Sequence, residues 1–377
     1  MSLAGHHEQL REAVRRFARE QLAPNAPAWD RDKRFPREQI RALANMGLMG
    51  VAIPEHWGGA GMDYTSLAIA CDEISAGDGS TCTIVMVTNL AANILLGYGS
   101  DAQKEEFLKP LARGEMLGAF ALTEPQAGSD AAAITTRAEK SGAHYVLNGV
   151  KQFITSGQSA ELAVVFAVTD KSARNKGISA FVVPTSTPGY KVARLEDKTG
   201  QRASDTAQIV FENCKVPAAN RLAEEGMGYR IALANLETGR INVAAQATGM
   251  ARTAFEAALA YAQERKSMGK TLFEHQAVNF RLADMATQVE AARQLYQHAA
   301  ALRDAGEPCL KEASMAKLFA SEMAEKVCSD AMQIHGGYGY VADFPVERIW
   351  RDVRVCKIYE GASDIQRLVI GRSLGSG

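Results

Sequence analysis

The sequence lacks the cysteine and histidine spacings that mark disulfide frameworks and metal sites. Its six cysteines are scattered over 377 residues without a C-x-x-C pair, which favours free thiols in a reducing compartment. None of its seven histidines belongs to an H-E-x-x-H or similar ligand spacing, so we expect no metal site. The expected location is the cytoplasm, or the mitochondrial matrix for a mature eukaryotic form.

The chain also lacks an excess of charge of one sign. It carries 42 basic and 43 acidic residues, for a formal net charge of −1, which argues against a nucleic-acid surface or a polybasic membrane patch. By inspection, no apolar run reaches the ~18 residues that a membrane helix requires, so we expect no membrane association. The opening segment lacks the apolar centre of a secretory signal and predicts an amphipathic helix.

Two nucleotide-binding motifs lack the context that they need. GYGYVA, which begins at Gly337, fits G-x-G-x-x-A, but a predicted helix precedes it where the dinucleotide fingerprint requires a strand. MGKT, around Lys270, has Glu264 where a phosphate-binding loop needs its first glycine. Neither motif predicts a Rossmann or P-loop site.

The remaining pattern changes period twice along the chain. Leu10, Val14 and Phe17 share one helical face near the start. From about Met116, the runs ELAVVFAVTD, GISAFVVP, GYKVARL and AQIVFENCKVP indicate short strands, and the Asn-Gly pair in YVLNGVKQFI predicts a type I′ hairpin turn. We therefore expect helical, β and helical domains at 1–115, 116–220 and 221–377.

An apolar seam in the last third predicts a helical bundle, because its members alternate steps of four and three residues. The seam consists of Val278, Leu282, Met285, Val289, Ala292 and Tyr296.

KIYEGASDIQR, near the C-terminus, places a glutamate at a predicted break between two helices. Gly361 suits the positive φ of a helix end, and Ser363 with Gln366 has the spacing of a capping box. Glu360 would then lie in a last helical turn, where the helix dipole raises the pKa of a carboxyl. Taken alone, such a glutamate is most often only solvated.

Five other stretches have both a functional and an ordinary interpretation. ALTEPQAGSD and KQFITSG offer hydroxyls and an aromatic ring that suit a flat heteroaromatic ligand, but also suit a polar loop and a half-buried strand. QERKSMGKTLFEHQ and QIHGGYGY offer cations and glycines that suit a pyrophosphate, or simply two helix ends. NLETGR places Glu237 and Arg240 at the spacing of an i,i+3 ion pair.

Together these stretches resemble the acyl-CoA dehydrogenase family over nearly the whole chain. ALTEPQAGSD, FITSG, GQRASDT, ERKSMGK, QIHGGYGY and IYEGASDIQR stand in the family's order and approximate spacing. The resemblance implies an α+β multidomain fold, with an N-terminal α-helical domain, a middle β-barrel or sandwich domain and a C-terminal four-helix bundle. It also implies FAD, with its flavin ring between the β domain and the bundle.

The resemblance carries roles over to individual residues. Positions around the flavin and the thioester match Leu122, Thr123 and Ser129, and positions beside the ring match Phe153, Ile154 and Thr155. Positions that hold the FAD pyrophosphate and adenosine from a neighbouring subunit match Arg265, Gln276, Gln333, Gly336 and Gly337. The turn that closes over the cofactor matches Ala362, Ser363 and Asp364, and substrate-binding positions match Ser129, Glu237, Arg240 and Gly361.

The implied reaction is the α,β-dehydrogenation of an acyl-CoA to a trans-2-enoyl-CoA. Glu360 matches the family's base for the α-proton, flavin N5 takes the β-hydride, and an electron-transferring flavoprotein reoxidises the flavin. One subgroup carries its base at the position of Gly239, which has no carboxylate here. The resemblance favours short or short branched acyl chains and a homotetramer built as a dimer of dimers.

Three departures and two alternatives qualify this interpretation. Phe153 stands where tryptophan is more usual, Ala362 replaces a common threonine, and Thr199 stands where methionine is frequent. The first alternative is an oxygen-using acyl-CoA oxidase or flavin monooxygenase of the same fold. The second is a flavin-free acyl-CoA-binding scaffold.

Overall fold

The computed structural model describes residues 4–375. Helices cover most of the first and last thirds of these residues. They are α1 (Gly5–Phe17), α2 (Ala26–Asp32), α3 (Arg37–Asn45), α4 (Tyr64–Gly77), α5 (Gly79–Tyr98), α6 (Asp101–Gln103), α7 (Lys109–Ala112), α8 (Gly228–Glu264), α9 (Gln276–Asp304), α10 (Leu310–His335), α11 (Val346–Val353) and α12 (Ser363–Leu374).

Strands occupy the middle of the chain and one small hairpin. They are β1 (Gly118–Ala121), β2 (Arg137–Ser141), β3 (His144–Thr155), β4 (Leu162–Val168), β5 (Ile178–Pro184), β6 (Tyr190–Leu195), β7 (Thr206–Pro217), β8 (Arg221–Leu222), β9 (Lys266–Ser267) and β10 (Lys270–Thr271). The first eight form one sheet in the order β6-β7-β3-β2-β4-β5-β8, with β1 paired parallel to β4. The predicted order of helical, β and helical regions is confirmed.

The predicted N-terminal stripe is confirmed in α1, where Val14 is fully buried and Leu10 and Phe17 pack against the core. The expectation of no long apolar run was wrong. Helix α5 has 20 residues and is long and apolar enough, by length and composition, to cross a membrane. Its apolar window is 89% buried inside the protein, so α5 packs as a core helix.

The predicted hairpin turn at Asn148-Gly149 was also wrong, because β3 runs without a break from His144 to Thr155. Gly149 has φ 153°, which is nearly extended, and it lies at a register shift between β3 and β7. A Cβ at this position would clash with Thr136. The glycine therefore permits a close approach between neighbouring segments, and the β2–β3 turn lies at Gly142 instead.

The last third packs as helices around α8, which has 37 residues and would span about 55 Å at the rise of an α-helix. It packs against α4, α5, α9 and α10. The predicted seam of α9 is buried from Leu282 to Tyr296, whereas Val278 is only partly buried. Helix α12 packs on α10, which places the turn before α12 beside the bundle core.

Candidate active site

The Glu360–Gly361 turn differs from the predicted helix end. Helix α11 ends at Val353 and a 3-10 turn follows over Arg354–Lys357, so Glu360 does not lie in a last α-helical turn. Gly361 has the predicted positive φ, at 89°, and Glu360 itself has φ 54°. A left-handed glutamate is uncommon and persists only where its surroundings enforce it.

The predicted capping box of α12 was wrong as well. Helix α12 begins at Ser363, but its N-cap is Ala362, with no side-chain cap hydrogen bond. Gln366 is fully buried, and its Nε2 donates to the carbonyl oxygens of Glu360 at 3.0 Å and Gly361 at 2.8 Å. Its amide therefore holds the turn instead of capping the helix.

The Glu360 carboxylate points into the protein. Its Oε2 is buried and has no hydrogen-bond partner among the described residues. On α8, a Cβ at Gly239 would clash with this oxygen, so the glycine provides the space that the carboxylate occupies. Burial raises the pKa of Glu360, and the positive charges of Arg240 and Lys317 only partly oppose this shift.

Two further residues of α8 do not form the ion pair that their spacing allowed. Arg240 is buried, its Nη1 donates to Ser314 Oγ at 3.2 Å, and its Nε has no partner within residues 4–375. Glu237 instead pairs with Arg303, at 3.2 Å between Nη1 and Oε2. Burial lowers the pKa of Arg240, while Glu360 and Glu237 oppose this change.

The loop after β1 is fastened to β3 by a buried ion pair. Lys151 Nζ lies 2.8 Å from Glu124 Oε1 and donates to the Leu122 carbonyl at 2.9 Å, and the Thr123 carbonyl accepts from the backbone N–H of Gln152 at 2.8 Å. The backbone N–H groups of Thr135 and Thr136 also donate to Glu124. Burial alone would raise the pKa of Glu124, but the Lys151 ammonium and these donors outweigh it and hold that pKa at about 2.

The end of β3 presents an aromatic ring to the surface. Phe153 is 61% exposed, has φ 59° and lies in a register shift between β3 and β7, an irregularity common next to active sites. Ile154 is buried in the core, and Thr155 is partly buried. The next residue, Ser156, has a buried hydroxyl without a partner among residues 4–375.

A second group of predicted residues lines a cavity of about 600 Å³ at the far end of α8. Arg265, Gly336 and Gly337 contribute to it, and the Arg265 guanidinium lies 5.8 Å from the Tyr338 ring centroid. The sequence interpretation missed a wall of this cavity, where Tyr261 and His335 stack with ring centroids 4.4 Å apart. No local pattern marks the two rings as neighbours, because 74 positions separate them in the sequence.

The other predicted residues lie outside that cavity. Gln276 is the exposed first residue of α9, and Gln333 is exposed in the last turn of α10. Ser129 is exposed in the loop after β1. Asp364, in the first turn of α12, pairs with Arg367 at 2.9 Å.

The described residues also bring together His6, His7 and Asp63, whose ligating atoms all lie within 4.8 Å of one another. Asp63 accepts from His7 Nε2 at 2.9 Å and from the backbone N–H of Ser66, at the start of α4. No local spacing marks this cluster, because 56 positions separate His7 from Asp63 in the sequence.

The comparisons with known proteins cover all three regions. Residues 5–115, 119–214 and 226–375 match the models of the N-terminal, middle and C-terminal domains of acyl-CoA dehydrogenase. The chain is 47% identical to the mitochondrial short-chain specific acyl-CoA dehydrogenase of Homo sapiens, over 98% of this chain and 90% of that protein.

Two solved structures share the fold closely. Butyryl-CoA dehydrogenase from Megasphaera elsdenii is 41% identical, with a TM-score of 0.97 and 99% of both chains covered. A chain from the structure of the electron transferring flavoprotein of Acidaminococcus fermentans is 42% identical, with a TM-score of 0.99 and full coverage of both chains.

Proposed function

We propose that this chain, which belongs to the acyl-CoA dehydrogenase family, dehydrogenates short or short branched acyl-CoA thioesters to trans-2-enoyl-CoA, with Glu360 as the base. The oxidoreductase activity on acyl-CoA is that of the family. The preference for short chains is supported by relatives that are short-chain specific and by the butyryl-CoA dehydrogenase neighbour.

One observation carries the assignment of the base, namely that the buried Oε2 of Glu360 has no partner in the described part of the chain. A thioester α-proton is weakly acidic, so its base gains from a raised pKa and from exclusion of water. Burial supplies both conditions here, because it raises the pKa of Glu360. An oxygen without a partner is also free to take a proton from a bound ligand.

The rival position for a base supports the same assignment. Gly239 has no side chain, and its lack of a Cβ leaves the room that the Glu360 carboxylate fills. A side chain at Gly239 and the present orientation of Glu360 would exclude each other. We therefore expect a single carboxylate to remove the α-proton.

Members of the family depend on FAD, and two groups of residues in this chain fit that cofactor. The cavity with Arg265, Gly336 and Gly337 suits a pyrophosphate, since guanidinium and backbone N–H groups bind phosphate oxygens. The exposed ring of Phe153 and the Ser156 hydroxyl, which has no partner among the described residues, suit a flat ring with polar edges. FAD supplies the hydride acceptor at N5, a role that no side chain can take.

The cavity at Arg265 lies far along α8 from Glu360, which favours a shared site. Arg240, near Glu360, lies about a third of the way along α8 and Arg265 directly follows its last residue, which separates the two by about 37 Å at the rise of an α-helix. A cofactor that contacts both kinds of group is most simply completed by a second subunit. We therefore propose that the cavity at Arg265 serves the active site of a neighbouring copy.

An apolar groove supports the proposed homotetramer. The groove has a volume of about 570 Å³ and lies between α9, α10 and α12. Phe319 in this groove is 37% exposed, and Met315, Leu318 and Ile370 from the same helices are partly buried. Exposed apolar patches of this kind mark association surfaces, and a second copy of the bundle is the occupant that we propose.

An electron-transferring flavoprotein is the electron acceptor that we propose, since a chain 42% identical to this one occurs in the structure of such a protein. The cytoplasm, or the mitochondrial matrix for a eukaryotic form, is the compartment that we propose. The six cysteines support a reducing compartment, because all of them are buried free thiols.

Anaerobic reduction of the FAD-loaded enzyme tests this function. We expect short or short branched acyl-CoA substrates to bleach the flavin absorption, and Glu360→Gln to remove nearly all of this reaction. Bleaching at the parent rate by the variant would rule out Glu360 as the base. Oxygen consumption that matches substrate turnover would instead indicate an oxidase or monooxygenase, and failure to bind FAD would indicate a scaffold.

A further inference from the structure

Helix α10 carries a buried lysine that plays no part in the mechanism described so far. Lys317 is fully buried, and its Nζ donates to the Gly361 carbonyl at 2.7 Å. No carboxylate in the described part of the chain lies within ion-pair distance of Nζ. A buried ammonium is normally paired, since its transfer from water is unfavourable. Burial accordingly lowers the pKa of Lys317 to about 8, and Cys356 and Glu360 oppose the shift only in part.

The carbonyl that Lys317 contacts belongs to the turn that presents Glu360. Gly361 O accepts from Lys317 Nζ at 2.7 Å and from Gln366 Nε2 at 2.8 Å, so both of its lone pairs are used. The two donors come from different helices, α10 and α12. They hold the turn from two sides, and the left-handed backbone of Glu360 is a conformation that needs such support.

The two donors differ in charge, because Gln366 is neutral and Lys317 is a cation that acts on the carboxylate of Glu360. The groups that act on that carboxylate are Arg240 from α8 and Lys317 from α10. Arg240 also faces Glu237, and Lys317 faces Glu322 and Cys356. The Cys356 thiol stays neutral, because burial raises its pKa to about 12. Lys317 and Arg240 are therefore the cations that favour the ionised form of Glu360.

We propose that Lys317 is a positioning residue for the base, which anchors the Gly361 carbonyl and keeps the Glu360 carboxylate ionised in a site that excludes water. This inference rests on the proposed role of Glu360. It gives the buried lysine two separable effects, one on the geometry of the turn and one on the proton affinity of the base. Gln366 shares the first effect and lacks the second.

A pair of variants separates the two effects. Lys317→Met keeps a side chain of similar length and removes both the charge and the donor. Gln366→Leu removes a donor to the same carbonyl without a change in charge. We expect both variants to lower kcat more than they raise KM for the acyl-CoA. Only Lys317→Met should move the acidic limb of the kcat/KM profile, upward by about one pH unit, because a nearby opposite charge lowers a carboxyl pKa.

A direct titration gives a readout that does not depend on turnover. Infrared difference spectra of the FAD-loaded enzyme, parent minus Glu360→Gln, isolate the protonated carboxyl of Glu360. The pH midpoint of this carboxyl titration should rise in Lys317→Met by as much as the acidic limb of the kcat/KM profile. It should stay unchanged in Gln366→Leu. The flavin spectrum shows whether each variant has folded with its cofactor. Should Lys317→Met not fold, Lys317→Gln, which is neutral but keeps a donor, carries the same expected shift.

The possible outcomes distinguish this inference from the proposed function. An unchanged midpoint and limb in the neutral Lys317 variants, or an equal shift in Gln366→Leu, would overturn the role of Lys317 while Glu360 remains the base. Flavin bleaching at the parent rate by Glu360→Gln would overturn the base itself, whatever Lys317 does.

Discussion

The middle β domain and the C-terminal helices each bury a glutamate near a lysine, and they satisfy the two glutamates in opposite ways. Glu124 lies 2.8 Å from Lys151 Nζ and accepts further hydrogen bonds on both of its oxygens, which hold its pKa at about 2. Glu360 has a raised pKa and an oxygen that no described residue contacts by a hydrogen bond, and Lys317 donates to a backbone carbonyl instead.

The difference indicates that Glu124 has a structural role in the proposed site and that Glu360 has a chemical one. A buried carboxylate with all its acceptors used fixes the loop that carries Leu122 and Thr123 to β3, because it cannot exchange partners without a loss of stability. A buried carboxylate with an unused oxygen gains when a ligand supplies a proton. Four changes in sequence test this contrast.

The largest effect should come from Glu360→Gln. The amide keeps the shape of the side chain but cannot accept the α-proton, so the rate of flavin reduction by acyl-CoA should fall by about 10²–10⁴-fold, the usual contribution of a general base. Stopped-flow absorbance under anaerobic conditions measures this rate. A matched Glu124→Gln variant should lose much less of the rate of the chemical step, and an equal loss would contradict the contrast.

Lys151→Met should cost the most stability. It leaves Glu124 buried without its cation, a change that typically costs about 3–5 kcal/mol in the free energy of unfolding. Chemical denaturation of the enzyme measures this change. The double variant with Glu124→Gln should regain most of the loss, since no buried charge then remains. Equal destabilisation of the single and double variants would show that the ion pair is not the reason for the loss.

Gly239→Ala should lower activity without loss of stability. Its Cβ would clash with Glu360 Oε2 and displace the carboxylate, and a displacement near 1 Å can lower a rate by about 10²-fold. Alanine also favours the interior of α8 by about 0.5–1 kcal/mol over glycine. Thermal unfolding beside flavin-reduction kinetics measures both quantities. A parent-like rate of flavin reduction in the variant would show that the space at Gly239 does not determine the position of the Glu360 carboxylate.

The smallest effect should be the pH dependence of stability in Glu360→Gln. The folded state raises the pKa of Glu360 above its ordinary 4.5, so ionisation of this group destabilises the fold as the pH rises above 4.5. The variant should therefore be more stable than the parent at neutral pH, and the difference should vanish below pH 4.5. Glu124→Gln should show the opposite sign at neutral pH, because the folded state lowers that pKa to about 2. Denaturation at several pH values measures both trends.

Local patterns predicted the elements of the fold where neighbours in sequence decide the outcome. The α9 seam is buried as expected from Leu282 to Tyr296. The local patterns failed at Asn148-Gly149 and at Ser363, where contacts with distant segments override the local preference. The amide of Gln366 donates to the carbonyl oxygens of Glu360 and Gly361, and the start of α12 has no side-chain cap. The boundaries at 115 and 220 stay a proposal.

The candidate site was predictable only for residues that a family motif marks. The resemblance pointed to Glu360 and to the cavity residues Arg265, Gly336 and Gly337. Lys317 and its contact with Gly361 were not predictable, because a lysine in a helix is normally solvated and 44 positions separate the two residues. Burial of a charge is a tertiary property, and no local spacing encodes it.

The apolar character of α5 has a consequence for biosynthesis. Its backbone oxygen at Gly79 and its hydroxyl at Thr83 both accept from Gln246 on α8, a residue that the ribosome adds long after α5 has left the exit tunnel. Until then, the twenty uncharged residues of α5 lack their contacts with α8. A chain truncated before α8 should therefore aggregate or bind chaperones, and slow synthesis of the middle domain would prolong that exposure.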